Sequence, residues 1–222
     1  MKGKLIVLEG LDGSGKATQA DLLCAALEKG GRAVRHISFP DYSSRSSELV
    51  KMYLAGEVGS LEDVNAYAAS SFYSLDRYIS YRTIWRRDYE ENGAVVVADR
   101  YTTSNLSHQM CKLPREEWDE FIDWLGDYEY RLLGLPAPDR VVYLDMHPEA
   151  SRRLLSQRYD GDESRRDLHE QNYRYLLACR SGALYAAEKL GWHILHCSDS
   201  EHAPRPVEDI AKEILRDIED VL

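Results

Sequence analysis

Two short segments hold the residue types that could do chemistry, and each follows an apolar run. Leu5 to Leu8 is closed by Glu9 and Gly10; Leu11, Asp12, Gly13, Ser14, Gly15 and Lys16 follow, and Ala17, Thr18, Gln19 and Ala20 open a helix-prone stretch. A glycine-rich turn between a strand and a helix lets backbone N–H groups converge on phosphate oxygens. The helix N-terminus adds its positive end, and Lys16 adds a point charge. The pattern G-x-x-x-x-G-K-[ST] runs from Gly10 to Lys16 but ends at Ala17, where a hydroxyl that holds Mg²⁺ is usual. Thr18 does not stand in for it, because successive helix positions point about 100° apart. The first segment is therefore a phosphate loop with an altered metal position.

The second segment is Asp99-Arg100-Tyr101, after the strand-like run Ala94–Ala98. Ligands of open parallel sheets gather beyond the carboxyl ends of strands. If the two strands are neighbours, Asp99 faces the loop and could hold Mg²⁺ through water. Arg100 could then clamp an acceptor phosphate bidentately. A structural ion pair is the plain alternative. Phe39-Pro40 ends another strand in the same way. Tyr73 and Arg77, four apart on a helical segment, share a face. The ring could stack on a base and the guanidinium could donate to a base carbonyl; the alternative is a core aromatic beside a solvated arginine. The stretch 158–166 sets Arg158, Arg165 and Arg166 beside Asp160, Asp162 and Glu163. It reads either as an arginine-bearing lid for phosphoryl transfer or as solvated surface. The seven histidines show no metal-ligand spacing, and neither G-x-S-x-G nor a Cys–His arrangement suggests a covalent nucleophile.

Strand-like runs at Lys4–Glu9, Ala33–Phe39, Ala94–Ala98, Arg140–Asp145 and His193–Cys197 must position these residues. Helical patterns alternate with them: from Lys16 to Gly30-Gly31, Ser46–Ala55, Leu61 to about Tyr89, Arg115–Leu133, Pro148 to about Gln157, Asp167–Leu190 and Val207–Leu222. The alternation predicts an α/β fold with a parallel sheet covered on both faces, and no repeat or linker divides residues 1–222, so one domain is expected. A net charge of −10 argues against a nucleic-acid polymer as partner but not against a mononucleotide in a local basic pocket. Four scattered cysteines are expected to be reduced and mostly buried. No signal-like stretch opens the chain and no apolar run approaches the roughly 20 residues of a membrane span, so a cytoplasmic protein is expected.

Taken together, the segments resemble the thymidylate kinase family of P-loop nucleoside monophosphate kinases over nearly the whole chain. The motifs in family order are E-G-L-D-G-S-G-K at 9–16, F-P at 39–40, Y-S-L-D-R at 73–77, D-R-Y-T-T-S-N at 99–105 and D-L-H-E at 167–170. The resemblance implies a three-layer P-loop NTPase fold with a five-stranded parallel sheet in order 2-3-1-4-5, and a homodimer. It implies transfer of the γ-phosphoryl of ATP to dTMP with Mg²⁺, giving dTDP and ADP. Alternatives are a related deoxynucleotide kinase with another acceptor, or a nucleotide-binding protein with weak kinase activity because of Ala17.

Residue by residue, the resemblance implies an ATP site of Gly10, Gly13, Ser14, Gly15, Lys16, Ala17 and Thr18, with Ser198-Asp199-Ser200 bordering the adenine. Lys16, Arg100 and the lid arginines Arg158, Arg165 and Arg166 would neutralise charge, with Asp99 beside them as a further catalytic residue. Asp12 would meet the sugar 3′-hydroxyl, and Phe39 and Pro40 would line the thymine pocket. Tyr73 would stack on the base and Arg77 would donate to thymine O4, which rejects cytosine. Ser104 and Asn105 would contact the base edge, and His108 stands where the family commonly has Tyr or Phe beside the sugar. Asp167 and Glu170 would organise the acceptor, and Asp99 and Glu170 its metal. Two further departures from the family are Ala17 in the loop and Asp41-Tyr42 after Pro40, where relatives often carry an arginine.

Overall fold

The computed structural model describes residues 2–60, 63–158 and 173–222, with side chains 152, 155–158 and 173 left aside. Each of the five strand-like runs becomes a strand: β1 (Lys4–Glu9), β2 (Val34–Ser38), β3 (Val95–Asp99), β4 (Arg140–Asp145) and β5 (His193–His196). All pair in parallel in the order β2-β3-β1-β4-β5. Parallel neighbours need crossovers, and the intervening helices supply them, covering both faces of the sheet. The register sets Leu8 opposite Asp99, Ser38 opposite Asp99 and Glu9 opposite Tyr143. The phosphate loop and the Asp99-Arg100 turn therefore leave the same sheet edge side by side.

The helices are α1 (Lys16–Lys29), α2 (Glu48–Leu54), α3 (Ala66–Ser80), α4 (Arg86–Glu90), α5 (Thr103–His108), α6 (Trp118–Gly126), α7 (Pro148–Arg158), α8 (Tyr173–Leu190) and α9 (Val207–Ile218). Three differ from the sequence expectation for identifiable reasons. The segment expected from Leu61 begins at Ala66, because the Asn65 side chain accepts from Ala68 N at 2.8 Å and caps the helix there. It then runs to Glu90 through a π-helical turn, Tyr81–Trp85. The helix expected over Arg115–Leu133 is a 3₁₀ turn, then α6, then a second π-helical turn, Asp127–Leu132. Helix α5 was not anticipated: T-S-N-L-S-H carries one aliphatic residue and no apolar period. The expected start at Asp167 lies outside the described residues.

Alternate side chains of the strands feed two cores. Ile6, Leu8, Val95, Val97, Val142 and Leu144 pack on Leu23 and Leu27 of α1 and Ile210 and Ile214 of α9. On the other face Leu5, Val7, Val96 and Ala98 meet Trp85, Tyr89 and Tyr101. Burial on both faces explains why the central strands β1, β3 and β4 read as apolar runs, each fully buried aliphatic side chain contributing about 1.5–3 kcal/mol. The edge strands β2 and β5 keep polar residues at exposed or half-buried positions. Among the described residues no helix is long and apolar enough to cross a membrane.

Candidate active site

The loop between β1 and α1 owes its shape to three glycines. Gly13 (φ 78°) and Gly15 (φ 86°) take the left-handed conformation that side chains resist. At Gly10 a Cβ would lie 2.6 Å from Ser14 Oγ and 3.0 Å from the Leu144 carbonyl oxygen, so backbone alone fits. Among the described residues no side chain caps the N-terminus of α1, which leaves its positive end facing the loop.

Lys16 and Arg100 converge on one carboxylate. Lys16 Nζ donates to the Leu11 carbonyl at 3.2 Å and to Asp12 Oδ1 at 3.4 Å. Arg100 Nη2 donates to the same Oδ1 at 2.5 Å. Arg100 sits just past β3 at φ 68°, a conformation that costs a non-glycine residue energy and is held here by its partners. Its Nη1 lies 3.0 Å from His108 Nε2 and 3.6 Å from Glu9 Oε1. A guanidinium only donates, so His108 Nε2 accepts.

The charges tune one another. Burial pushes the Asp12 carboxyl up, but Arg100 and Lys16 outweigh it and hold it well below the carboxylate range. Burial and Arg100 lower the Lys16 ammonium, against the pull of Asp12, Asp99 and Glu9. Arg100 is held fully charged: burial works against it, and Asp12, Glu9 and Asp99 overcome that.

All nine described residues expected at the acceptor site line one cleft of about 550 Å³: Asp12, Phe39, Pro40, Tyr73, Arg77, Arg100, Ser104, Asn105 and His108. The Phe39-Pro40 peptide is cis. Tyr73 stands edge-on to Tyr53, ring centres 6.3 Å apart. Arg77, read as an open donor, arrives with two of its nitrogens taken. Its Nε donates to Glu129 Oε2 at 2.8 Å and its Nη2 to Glu129 Oε1 at 2.5 Å, leaving Nη1 for the cleft. Burial lowers its pKa, but Glu129 more than compensates and the net direction is upward. Ser104 and Asn105 also border the cleft with their donors already engaged. Ser104 Oγ donates to Glu9 at 2.7 Å, and Asn105 Nδ2 donates to Glu129 at 3.1 Å and to the Ser70 carbonyl at 3.3 Å.

Three buried carboxylates organise this site and were not singled out from sequence. Glu9 accepts from Gly10 N, Thr103 Oγ1 and Ser104 Oγ, joining the loop to α5. Glu129, from the second π-helical turn, accepts from Ser74, Arg77 and Asn105. Asp76 accepts from Asp41 N at 3.1 Å and Ser46 Oγ at 2.5 Å, tying the segment after Pro40 to α3. Burial raises its pKa. Glu9 and Asp76 had sequence signals, one closing the first strand and the other lying inside Y-S-L-D-R; Glu129 had none.

Asp99 closes β3 beneath the cleft rather than lining it, and its Oδ1 is buried without a hydrogen-bond partner among the described residues. That unmatched carboxylate oxygen fits a divalent ion held through water. Ala17 and Thr18 are both exposed on the first turn of α1, and Ala17 brings no hydroxyl. No cluster of three metal-ligating side chains occurs among the described residues. After β5, Ser198 Oγ accepts from His147 N at 3.2 Å, while Asp199 Oδ1 accepts from Glu201 N and Ala203 N. Arg158 ends α7 with its side chain outside the described residues, where Arg165, Arg166, Asp167 and Glu170 also lie.

A phosphate loop facing a cationic, aromatic-lined cleft can hold two phosphate-bearing ligands end to end. Comparison with known proteins agrees. The thymidylate kinase family model matches residues 8–209. A thymidylate kinase of Mycobacterium tuberculosis is 34% identical over 186 residues, covering 82% of this chain and 84% of its own. One from Caenorhabditis elegans is 35% identical over 159 residues, covering 68% of this chain and 66% of its own. In fold, the chain superimposes on the solved thymidylate kinase of Candida albicans with a TM-score of 0.70 at 22% identity, over 99% of this chain and 92% of that one.

Proposed function

Because this chain belongs to the thymidylate kinase family, we propose that it transfers the γ-phosphoryl group of ATP to dTMP, giving dTDP and ADP. The chain acts as one P-loop kinase domain, homodimeric and cytoplasmic. What supports the assignment of roles is one shared carboxylate: Asp12 Oδ1 accepts from Lys16 of the phosphate loop and from Arg100 beyond β3. Donor and acceptor phosphates bound to those two cations would meet head to head.

The attacking atom is an acceptor phosphate oxygen, already ionised near neutral pH, so no strong general base is needed. It displaces ADP from the γ-phosphorus while Lys16 and Arg100 neutralise the charge that would keep two anions apart. Asp12 holds the pair in place and meets the sugar. Tyr73 stacks on the base, and Arg77 Nη1 donates to a base carbonyl, which selects against the exocyclic amine of cytosine. Mg²⁺, when bound, would supply further neutralisation on the phosphates, and Asp99 and Glu170 are the residues that would hold it. The remaining charge comes from Arg158, Arg165 and Arg166.

Measuring ADP release with dTMP, dUMP, dCMP and dGMP tests this reading. The expected result is the highest kcat/KM for dTMP, with dUMP behind it by the value of one methyl, about 1–3 kcal/mol. Lys16→Ala should lose about 100-fold or more in turnover while remaining folded. Binding of dTMP without ADP release, or unaltered turnover in Lys16→Ala, would overturn it.

A further inference from the structure

Cys111 and Cys179 stand 68 positions apart in the chain, and their sulfur atoms meet at 3.4 Å. Cys111 lies on the short turn Met110–Lys112 after α5 and is partly exposed, whereas Cys179 on α8 is fully buried. Gly182 lets the two elements come this close. A Cβ there would lie 3.3 Å from the Leu106 carbonyl oxygen, a tight contact, and 3.8 Å from Cys111 Cβ, so the glycine eases the close approach. Phosphoryl transfer has no use for two thiols at this place. The other cysteines, Cys24 on α1 and Cys197 after β5, sit in the core that α1 and α9 cover, as small apolar groups.

The surroundings divide the labour between the two sulfurs. Contact with Cys179 and the nearby Lys112 charge lower the Cys111 thiol, although burial opposes them. Burial pushes the Cys179 thiol up. An accessible thiol inclined to ionise, backed by a buried second thiol, is the arrangement that reacts with peroxides and then closes a disulfide. The pair also reaches the cleft. Cys111 Sγ donates to the His108 carbonyl at 3.5 Å, and the Tyr175 hydroxyl donates to that same oxygen. The His108 ring in turn holds Arg100 Nη1.

We infer that Cys111 and Cys179 form a reversible oxidation site, closed to a disulfide by a peroxide, which slows turnover by disturbing His108. The Cys111 thiolate attacks one peroxide oxygen, the O–O bond breaks, and a sulfenic acid forms as hydroxide leaves. The Cys179 thiol then attacks that sulfur; the S–O bond breaks, the S–S bond forms, and water leaves with the proton of Cys179. Two thiols supply two electrons, and the peroxide is reduced to water. Closure removes the S–H donor from the His108 carbonyl and pins the end of α5 to α8, so the support of Arg100 changes. A dithiol reverses the reaction by exchange.

Treating the whole protein with hydrogen peroxide and titrating thiols after unfolding tests this, and the thiol count is independent of which nucleotide is the acceptor. Two of the four thiols should disappear, a proteolytic digest should yield the 111 and 179 peptides joined, and kcat/KM for dTMP should fall and recover with dithiothreitol. Cys111→Ser and Cys179→Ala should each hold their turnover through the same treatment; the half-buried Cys111 site serves if the core substitution fails to fold. Four thiols surviving in the wild type, another pair joined, closure without loss of turnover, or equal inactivation of both variants would each overturn the inference.

Discussion

At the scale of single residues, the feature with most consequence is the Arg77–Glu129 pair, 1% and 0% exposed. A buried guanidinium without a counter-charge would be expelled or would destabilise the fold, and removing one member of such a pair costs about 3–5 kcal/mol. Here the pair also fixes the guanidinium plane, because two parallel bonds set its orientation and direct the third nitrogen to the cleft. Glu129→Gln keeps the side-chain shape but loses the charge and one of the two acceptors. Its KM for dTMP should rise about tenfold, a cost near 1.4 kcal/mol, with kcat changed much less, and its preference for dTMP over dCMP should narrow. Steady-state kinetics at saturating ATP decide; a KM equal to wild type would show that Glu129 does not act through Arg77. Arg77 itself was legible in the sequence because it stands one helical turn from Tyr73. Glu129 was not, because its partner lies 52 positions away and no local spacing marks it.

At the scale of elements, the central strands β1, β3 and β4 and the phosphate loop were legible almost to the residue, since burial on both faces forces aliphatic runs and the loop needs its glycines. Helix α5 and the two π-helical turns were not. Their conformation is set by contacts such as Thr103 and Ser104 on Glu9, which exist only once the sheet has formed. Helix α3 divides its faces sharply. Ser70, Ser74 and Arg77 point inward and are buried, while Leu75 and Ile79, one turn apart, are 37% and 43% exposed. Two aliphatic side chains aligned on the outer face of a site helix suit a self-association surface better than water, in keeping with the proposed homodimer. Sedimentation should give about twice the chain mass for the wild type and a monomer for Ile79→Glu. A monomeric wild type, or a dimer unaffected by this charge, would remove α3 from the interface.

At the scale of the whole molecule, a chain with a net charge of −10 keeps two cations, Lys16 and Arg100, largely inside, at the carboxyl edge of its sheet. Their mutual repulsion is relieved in the folded state by Asp12, so the site is linked to acid stability through that carboxyl. Burial alone would raise the Asp12 pKa; Arg100 and Lys16 outweigh it, and the folded value lies below the unfolded one, about 3.9. A depressed carboxyl contributes stability that is complete above the unfolded pKa and is lost as pH falls toward and through the folded value. Asp12→Asn should therefore be less stable than wild type by about 2–3 kcal/mol near neutral pH. The gap should shrink below about pH 4, where the wild-type carboxyl begins to lose its advantage. Urea denaturation of both proteins near pH 7 and near pH 3.5 measures the two gaps. Equal gaps would mean that Lys16 and Arg100 do not draw their stability from the Asp12 charge, and the proposal that this carboxylate holds both phosphate-binding cations in place would fail with it.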